Sequence, residues 1–144
     1  NVLAGRKRPL HTIIPAFMQR GEQRVAFGIM GGWNQSQAHA QFVSNIADFG
    51  MNIQQALEAP RFSKRTFEGC DVDIETTAPV ATLDALKAMG HDVRASNGRF
   101  TDTYGYGQAV MSDGKGIHFG ASEPRHDGAA IPQGAPVAPV GKKP

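Results

Sequence analysis

The chain has 144 residues, the length of about one domain, and its hydrophobic content of 40% is enough for a packed core. Its 17 glycines and 9 prolines are too few to indicate low-complexity disorder. The chain has 15 lysines and arginines and 13 acidic residues, so its net charge is +2. This charge is too small to favour DNA or RNA binding through counterion release.

The apolar pattern and the cysteine count exclude further classes. No apolar run approaches the roughly 18 residues of a membrane helix, and no secretory signal opens the chain. We therefore expect a soluble protein without a membrane partner, in the cytoplasm or the periplasm. The single cysteine, Cys70, excludes an internal disulfide and a multi-cysteine zinc site. The basic residues 6–8 are consistent either with a solvent-exposed segment before a strand or with a phosphate-binding site.

The first part of the chain predicts a β-hairpin. Residues 11–19 and 24–30 are rich in β-branched and aromatic residues, and a short polar turn separates them. Gly31 and Gly32 end the second strand.

Three helices are expected after this hairpin. Asn52 and Gln55 predict a capping box for a short helix over residues 53–59. A further apolar stripe predicts a helix over residues 80–89. The first of the three helices ends at Gly50 and is predicted from apolar residues at helical spacing: Ala38, Phe42, Ile46 and Phe49.

The last part of the chain predicts a second hairpin and then a tail. Residues 108–112 and 116–120 are short strands around an Asp-Gly turn. Residues 61–75 are expected to be a linker, and residues 91–103 a polar loop. The predicted order is strand, strand, helix, helix, helix, strand, strand, which indicates an α/β fold of the layered α+β type with antiparallel strands covered by helices.

The domain division follows from composition. Residues 1–130 are expected to form one folded unit, and residues 131–144, rich in Pro, Gly and Ala, a tail without a core of its own.

The turn between the second strand and the first helix carries the strongest chemical signal. The first turn of a helix leaves backbone N–H groups unpaired, and glycine permits close approach, so Gly31 and Gly32 could hold an anion. Two interpretations remain open at this point. The donors could stabilise the oxyanion of an acyl transfer, or the glycines could simply allow a tight strand-to-helix connection.

No metal and no organic cofactor are expected. His39 lies among polar positions and is predicted to be on the surface of the first helix. Residues 105–107 lack both the preceding apolar strand and the third glycine of a dinucleotide-binding fingerprint. The histidines do not have the spacing of metal ligands; they stand at positions 11, 39, 91, 118 and 126.

Several segments resemble one known family. They occur in the same order as in that family and are residues 7–15 (KRPLHTIIP), 31–32 (GG), 48–56 (DFGMNIQQA), 59–62 (APRF) and 120–125 (GASEPR). Together they resemble the C-terminal part of the small subunit of the gamma-glutamyltransferases, and the resemblance extends over residues 7–130.

This resemblance implies a fold and a reaction. Such proteins are N-terminal-nucleophile hydrolases with an αββα sandwich, in which a precursor cleaves itself. The threonine freed at the new N-terminus then attacks an amide, with its own amine as base. The expected substrate is a small gamma-glutamyl or other amide, as in glutathione metabolism, and the reaction needs no cofactor.

The resemblance also assigns site residues. Gly31 and Gly32 match two adjacent glycines that form the oxyanion hole. His11 and Thr12 match a pair of serines that bind the α-carboxylate of the substrate, so one hydroxyl is retained and an imidazole replaces the other. This replacement, together with Met30 in place of a proline before the two glycines, indicates the acylase-like branch of the family.

The nucleophile is expected outside this chain. In the family it lies upstream of the segment matched by residues 7–15, so the chain is expected to work with the large subunit and the N-terminal part of the small subunit of the same protein. Without those parts, the edge of the first hairpin lacks partner strands, and we expect self-association, with a homodimer as one outcome. The alternative is a non-catalytic structural or interaction domain that retains the fold.

Overall fold

Two β-sheets form the frame of the computed structural model, which describes residues 2–98 and 103–134. The larger sheet has four antiparallel strands in the order β1-β2-β6-β7, and the smaller has three in the order β3-β4-β5. The strands are β1 (Ala16–Arg20), β2 (Gln23–Met30), β3 (Phe62–Ser63), β4 (Asp71–Glu75), β5 (Asp92–Ser96), β6 (Tyr106–Ser112) and β7 (His118–Ser122).

Three α-helices connect these strands. They are α1 (Gln35–Ala47), α2 (Ile53–Glu58) and α3 (Val80–Ala88), and one 3-10 turn, Gly32–Asn34, leads into α1. The predicted capping box of α2 is confirmed, because the Asn52 side chain accepts from the Gln55 N–H at 2.9 Å and the Gln55 side chain accepts from the Asn52 N–H at 3.0 Å. No helix in the described part of the chain is long and apolar enough to cross a bilayer.

The core lies on one face of the larger sheet. Side chains alternate along β2, so that Val25, Phe27 and Ile29 are buried against Phe42 of α1 and Leu57 of α2. The opposite face is exposed and apolar, and its large side chains include Phe17, Met30 and Val110. The layered arrangement of helices on antiparallel strands is the one that the sequence predicted.

The sequence prediction was wrong at the smaller sheet. The expected linker over residues 61–75 contains β3 and β4, and the expected polar loop over residues 91–103 contains β5. β4 pairs in parallel with β5, so this sheet is not purely antiparallel. The prediction missed β4 because its sequence, DVDIE, is acidic, yet both Asp73 and Glu75 are buried.

The third helix lies where the sequence predicted it, but its apolar stripe is not buried. None of the residues of α3 is buried, and Val80 at its start is 71% exposed. The apolar stripe of α1 is likewise shorter than predicted, since Phe49 lies beyond the end of the helix and is 71% exposed. The predicted tail is described only as far as residue 134, without regular structure, and residues 135–144 lie outside the described part.

Four buried charged side chains join the two sheets. Glu123 accepts from Arg61 at 2.9 Å and from Arg125 at 2.7 Å, and Glu75 binds the other side of Arg125. The two arginines also donate to the backbone carbonyl of Leu57 at the end of α2. Because two positive and two negative charges are combined, the cluster is neutral, and it ties α2, β4 and the strands around β6 into one unit.

Candidate active site

A cleft of about 1150 Å³ lies beside the exposed face of the larger sheet. His11, Thr12, Gly31 and Gly32 all line it, although 19 positions separate Thr12 from Gly31 in the sequence. The rest of the described lining comes from the segment before β1, from β2, from β6 and from the turn into α1: Ile13, Ile14, Pro15, Ala16, Ala26, Phe27, Gly28, Ile29, Met30, Trp33, Gln35, Tyr106, Gln108, Ala109 and Val110. The structure therefore brings the sequence-predicted site residues to one place.

The two glycines form the predicted strand-to-helix turn. β2 ends at Met30, and the 3-10 turn begins at Gly32 and runs into α1. Gly31 has a φ of 144° and Gly32 a φ of 54°, a region that favours glycine over other residues. The Gly31 carbonyl accepts from the Asn34 N–H at 2.9 Å, which folds the chain back into the helix. The first N–H groups of this turn have no intrahelical acceptor, because no turn of helix precedes them.

Close packing of β6 against β2 fixes the end of the strand from which the turn begins. Met30 is paired with Tyr106, and a Cβ atom at Gly105 would lie 2.1 Å from the Met30 carbonyl oxygen. Only glycine permits this approach, so Gly105 brings the start of β6 directly against the end of β2. The cluster of buried charges holds the same segment, since Arg61 donates to the Gly105 carbonyl at 2.8 Å.

His11 and Thr12 lie on the irregular segment that precedes β1. Both are exposed, and both line the cleft. Their hydroxyl and imidazole groups are thus available to a molecule bound in the cleft. Among the described residues that line the cleft there is no Asp, Glu, Lys or Arg, so its wall is mostly apolar with a few polar groups.

His39 is not the surface residue that the sequence predicted. It is 9% exposed, and its Nε2 accepts a hydrogen bond from the Ile29 N–H at 2.9 Å. Its ring lies 5.2 Å from the ring of Phe27 in an edge contact. Burial lowers the pKa of His39 from its usual value of 6.5. His39 stands three residues before Phe42 and lies on the same buried side of α1, but its hydrogen-bond partner is on β2, which the local sequence does not show.

Asn34 is a buried polar residue beside the turn, and no sequence motif pointed to it. It follows Gly32 by two positions and is 4% exposed. Among residues 2–98 and 103–134, neither its side-chain oxygen nor its side-chain nitrogen has a hydrogen-bond partner. An unpaired buried amide of this kind destabilises a fold by about 1–3 kcal/mol.

No metal site is found in the described residues. No three His, Cys, Asp or Glu side chains in these ranges come together as ligands. The described lining of the cleft offers backbone groups, hydroxyl groups and the His11 imidazole.

Comparisons with known proteins agree with the sequence motifs. A family model described as gamma-glutamyltranspeptidase matches residues 1–133. The glutathione hydrolase-like YwrD proenzyme of Bacillus subtilis is 34% identical over 137 residues, which are 91% of this chain and 26% of that protein. The chain thus spans about a quarter of the length of this curated relative.

Solved structures show the same fold. The crystal structure of cephalosporin acylase from Bacillus halodurans superposes with a TM-score of 0.76 at 39% identity, over 92% of this chain and 25% of that one. Gamma-glutamyltranspeptidase from Pseudomonas nitroreducens gives a TM-score of 0.70 at 26% identity, over 92% of this chain and 67% of that one.

Proposed function

Since the chain belongs to the gamma-glutamyltranspeptidase family, we propose that it is the C-terminal part of the small subunit of an amide hydrolase or acyltransferase. Proteins similar to it carry the names glutathione hydrolase, acylase and transpeptidase, and the curated ones are proenzymes. The proposed nucleophile is the N-terminal threonine of the small subunit, supplied by the upstream part of the same protein.

One observation carries the proposal. Residues from two distant segments, His11 with Thr12 and Gly31 with Gly32, line a single cleft. The first pair is proposed to bind the substrate, and the second is proposed to stabilise the transition state. The cleft is therefore proposed to hold the reacting amide between them.

The chemical task of Gly31 and Gly32 is to hold negative charge. When the threonine hydroxyl attacks the amide carbonyl, the carbonyl oxygen becomes an oxyanion, and the leaving amine departs as an ester forms. Backbone N–H groups fixed in advance lower the barrier by about 3 kcal/mol each, because they need not reorient when the charge appears. Water or a second amine then attacks the ester and frees the acyl group.

The substrate preference is proposed to follow from His11 and Thr12. The Thr12 hydroxyl can donate to a substrate carboxylate, whereas the His11 imidazole replaces a hydroxyl donor. The described wall of the cleft has no Asp, Glu, Lys or Arg to bind a charged acyl group. These features favour acylase-type amides over gamma-glutamyl amides.

Substitutions at Gly32 in the full-length protein test this proposal. Gly32→Pro removes the N–H donor and should lower kcat by about a hundredfold or more on an acyl anilide. Proline also fixes φ near about −65°, far from the 54° of Gly32, so the loss is assigned to the donor only when the melting profile and the Trp33 emission are unchanged. The matched control is Gly32→Ala, which keeps the donor. A Cβ at this position meets nothing within 4 Å, so the φ of 54° is the main obstacle, and we expect a loss of less than about tenfold.

Two results would contradict the proposal. A Gly32→Pro protein with an unchanged melting profile and near-normal kcat would exclude the oxyanion role. A wild-type full-length protein that hydrolyses neither gamma-glutamyl nor simple acyl anilides would favour a non-catalytic domain. The isolated 144-residue chain is expected to be inactive on both.

A further inference from the structure

His39 closes a loop that contains the Gly31–Gly32 turn. The imidazole belongs to α1, after the turn, and its hydrogen-bond donor, the Ile29 N–H, belongs to β2, before the turn. The two atoms are 2.9 Å apart in the buried core. A single side-chain hydrogen bond therefore joins the two elements that the turn connects.

Within the described strands, β1 ends too early to accept from the Ile29 N–H. Pairing between β1 and β2 stops at Ala16 opposite Phe27, so Ile29 lies two residues beyond the last paired position. On its other side Ile29 is paired in register with Gly107 of β6. His39 thus takes the place of the missing strand at the point where β2 approaches the turn.

The His39 hydrogen bond matters because the Gly31–Gly32 turn is flexible. Gly31 and Gly32 have no side chains to restrict them, and glycine has more backbone freedom than any other residue. The direction of their N–H groups is set by the elements on either side, which are the end of β2 and the start of α1. The His39 hydrogen bond, together with the ring contact of Phe27 with Phe42 at 4.6 Å, fixes those two elements relative to each other.

The bond requires a neutral imidazole. A nitrogen that accepts from an N–H cannot itself carry a proton, so Nε2 is free of hydrogen and Nδ1 is protonated. Burial lowers the pKa of His39 and so favours this neutral form near pH 7.

Few charges surround the imidazole. Elements β1, β2 and α1 line the groove beside His39, and within its described lining the other titratable side chain is Asp48, just after α1. The Ser44 hydroxyl donates to the Asp48 carboxylate at 2.5 Å.

We propose that His39 is a positioning residue for the reaction: as a neutral acceptor for the Ile29 N–H it holds the Gly31–Gly32 donors toward the cleft, and its protonation releases them. This inference rests on the proposed oxyanion role of the turn. It adds a pH dependence to that role, with full activity while His39 is neutral and loss of activity as the pH falls through its lowered pKa. The expected acidic limb therefore lies below about pH 6.5.

The first test follows the turn in the 144-residue chain itself by nuclear magnetic resonance. Three proteins are compared: wild type, His39→Gln and His39→Leu. The glutamine side-chain oxygen stands as many bonds from Cβ as Nε2 does, so His39→Gln keeps an acceptor but does not titrate. His39→Leu removes the acceptor. His118→Gln, at an exposed histidine of β7, is the control for a change of histidine alone.

In the wild type and in His118→Gln, the Gly31 and Gly32 amide shifts should follow the titration of His39 as the pH falls below about 6.5. In His39→Gln they should not change with pH. In His39→Leu the Ile29 amide should exchange about five to ten times faster. Identical pH profiles for wild type and His39→Gln, or unchanged Ile29 exchange in His39→Leu, would overturn the proposal.

The second test measures kcat and KM against pH in the full-length protein. Wild type should lose kcat on the acidic side, His39→Gln should lack that limb, and His39→Leu should have kcat lowered about tenfold at every pH with KM unchanged, because an oxyanion donor acts in the transition state. The Gly31 and Gly32 amide shifts could change with His39 in the first test while kcat does not change in the second. In that case His39 positions the turn, and the proposed oxyanion role is wrong. If the turn does not respond, the His39 inference fails whatever the activity.

Discussion

Replacing Glu123 with glutamine would remove one negative charge from the buried cluster that joins the two sheets. Glu123 is 3% exposed and its carboxylate accepts four hydrogen bonds. The donors are Arg61 Nη2 at 2.9 Å, the Gly107 N–H at 2.8 Å, Arg125 Nη1 at 2.7 Å and the Arg125 N–H at 3.3 Å. Glutamine offers one oxygen and one NH₂ group. Some of these N–H donors would therefore lie against the NH₂ group, which is itself a donor.

The size of the effect follows from the charges left behind. Two guanidinium groups would share the single carboxylate of Glu75, so the buried cluster would carry a net positive charge. Breaking a buried ion pair by removing one partner destabilises a protein by about 3–5 kcal/mol. With an m-value of about 1.5 kcal/mol per molar for urea, the unfolding midpoint should fall by about 2–3 M.

Urea unfolding of the 144-residue chain, followed by circular dichroism, measures this shift. Asp92→Asn is the matched control, because Asp92 pairs with Arg94 at 2.9 Å and both side chains are more than half exposed. An exposed pair contributes no more than about 1 kcal/mol. A midpoint for Glu123→Gln that moves no further than the control would refute the claim that this cluster joins the sheets.

Three other predictions test the cleft and the surfaces around it. In the full-length protein, His11→Ser should raise the ratio of kcat/KM for gamma-glutamyl over simple acyl anilides about fivefold, the equivalent of one hydrogen bond; an unchanged ratio would show that this position does not bind the carboxylate. Asn34→Leu should raise the free energy of unfolding of the isolated chain by about 1 kcal/mol, since it removes an unpaired buried amide, and a lowered value in urea titrations would contradict this. The isolated chain should self-associate through the exposed face and edge of the larger sheet, and Phe17→Asp on β1 should weaken association in sedimentation velocity; a wild type that stays monomeric at all concentrations would count against it.

The local elements of the larger sheet could be predicted from sequence because each has a signal within a few residues. The polar turn after Arg20 separates β1 from β2, and Asn52 with Gln55 marks the start of α2. The Asp-Gly turn after Ser112 located the second hairpin, although β7 begins at His118, two residues later than predicted. Such signals depend on backbone geometry that neighbouring residues determine.

The sequence by itself also predicted the glycine turn and, through the family motifs, identified His11 and Thr12 as candidate site residues. What it could not determine is that these four residues line one cleft. That arrangement depends on β2 pairing with β6 and on the path of the segment before β1, which are contacts between residues far apart in the chain.

Only the tertiary structure decided the smaller sheet and the place of His39. Asp73 and Glu75 make β4 look like a solvated segment, and they can be buried because Arg65 and Arg125, from elsewhere in the fold, neutralise them. His39 looks like a surface residue until β2 brings the Ile29 N–H to it. In both cases a polar group is buried because its partner comes from another element, and a pattern of neighbouring residues does not contain that partner.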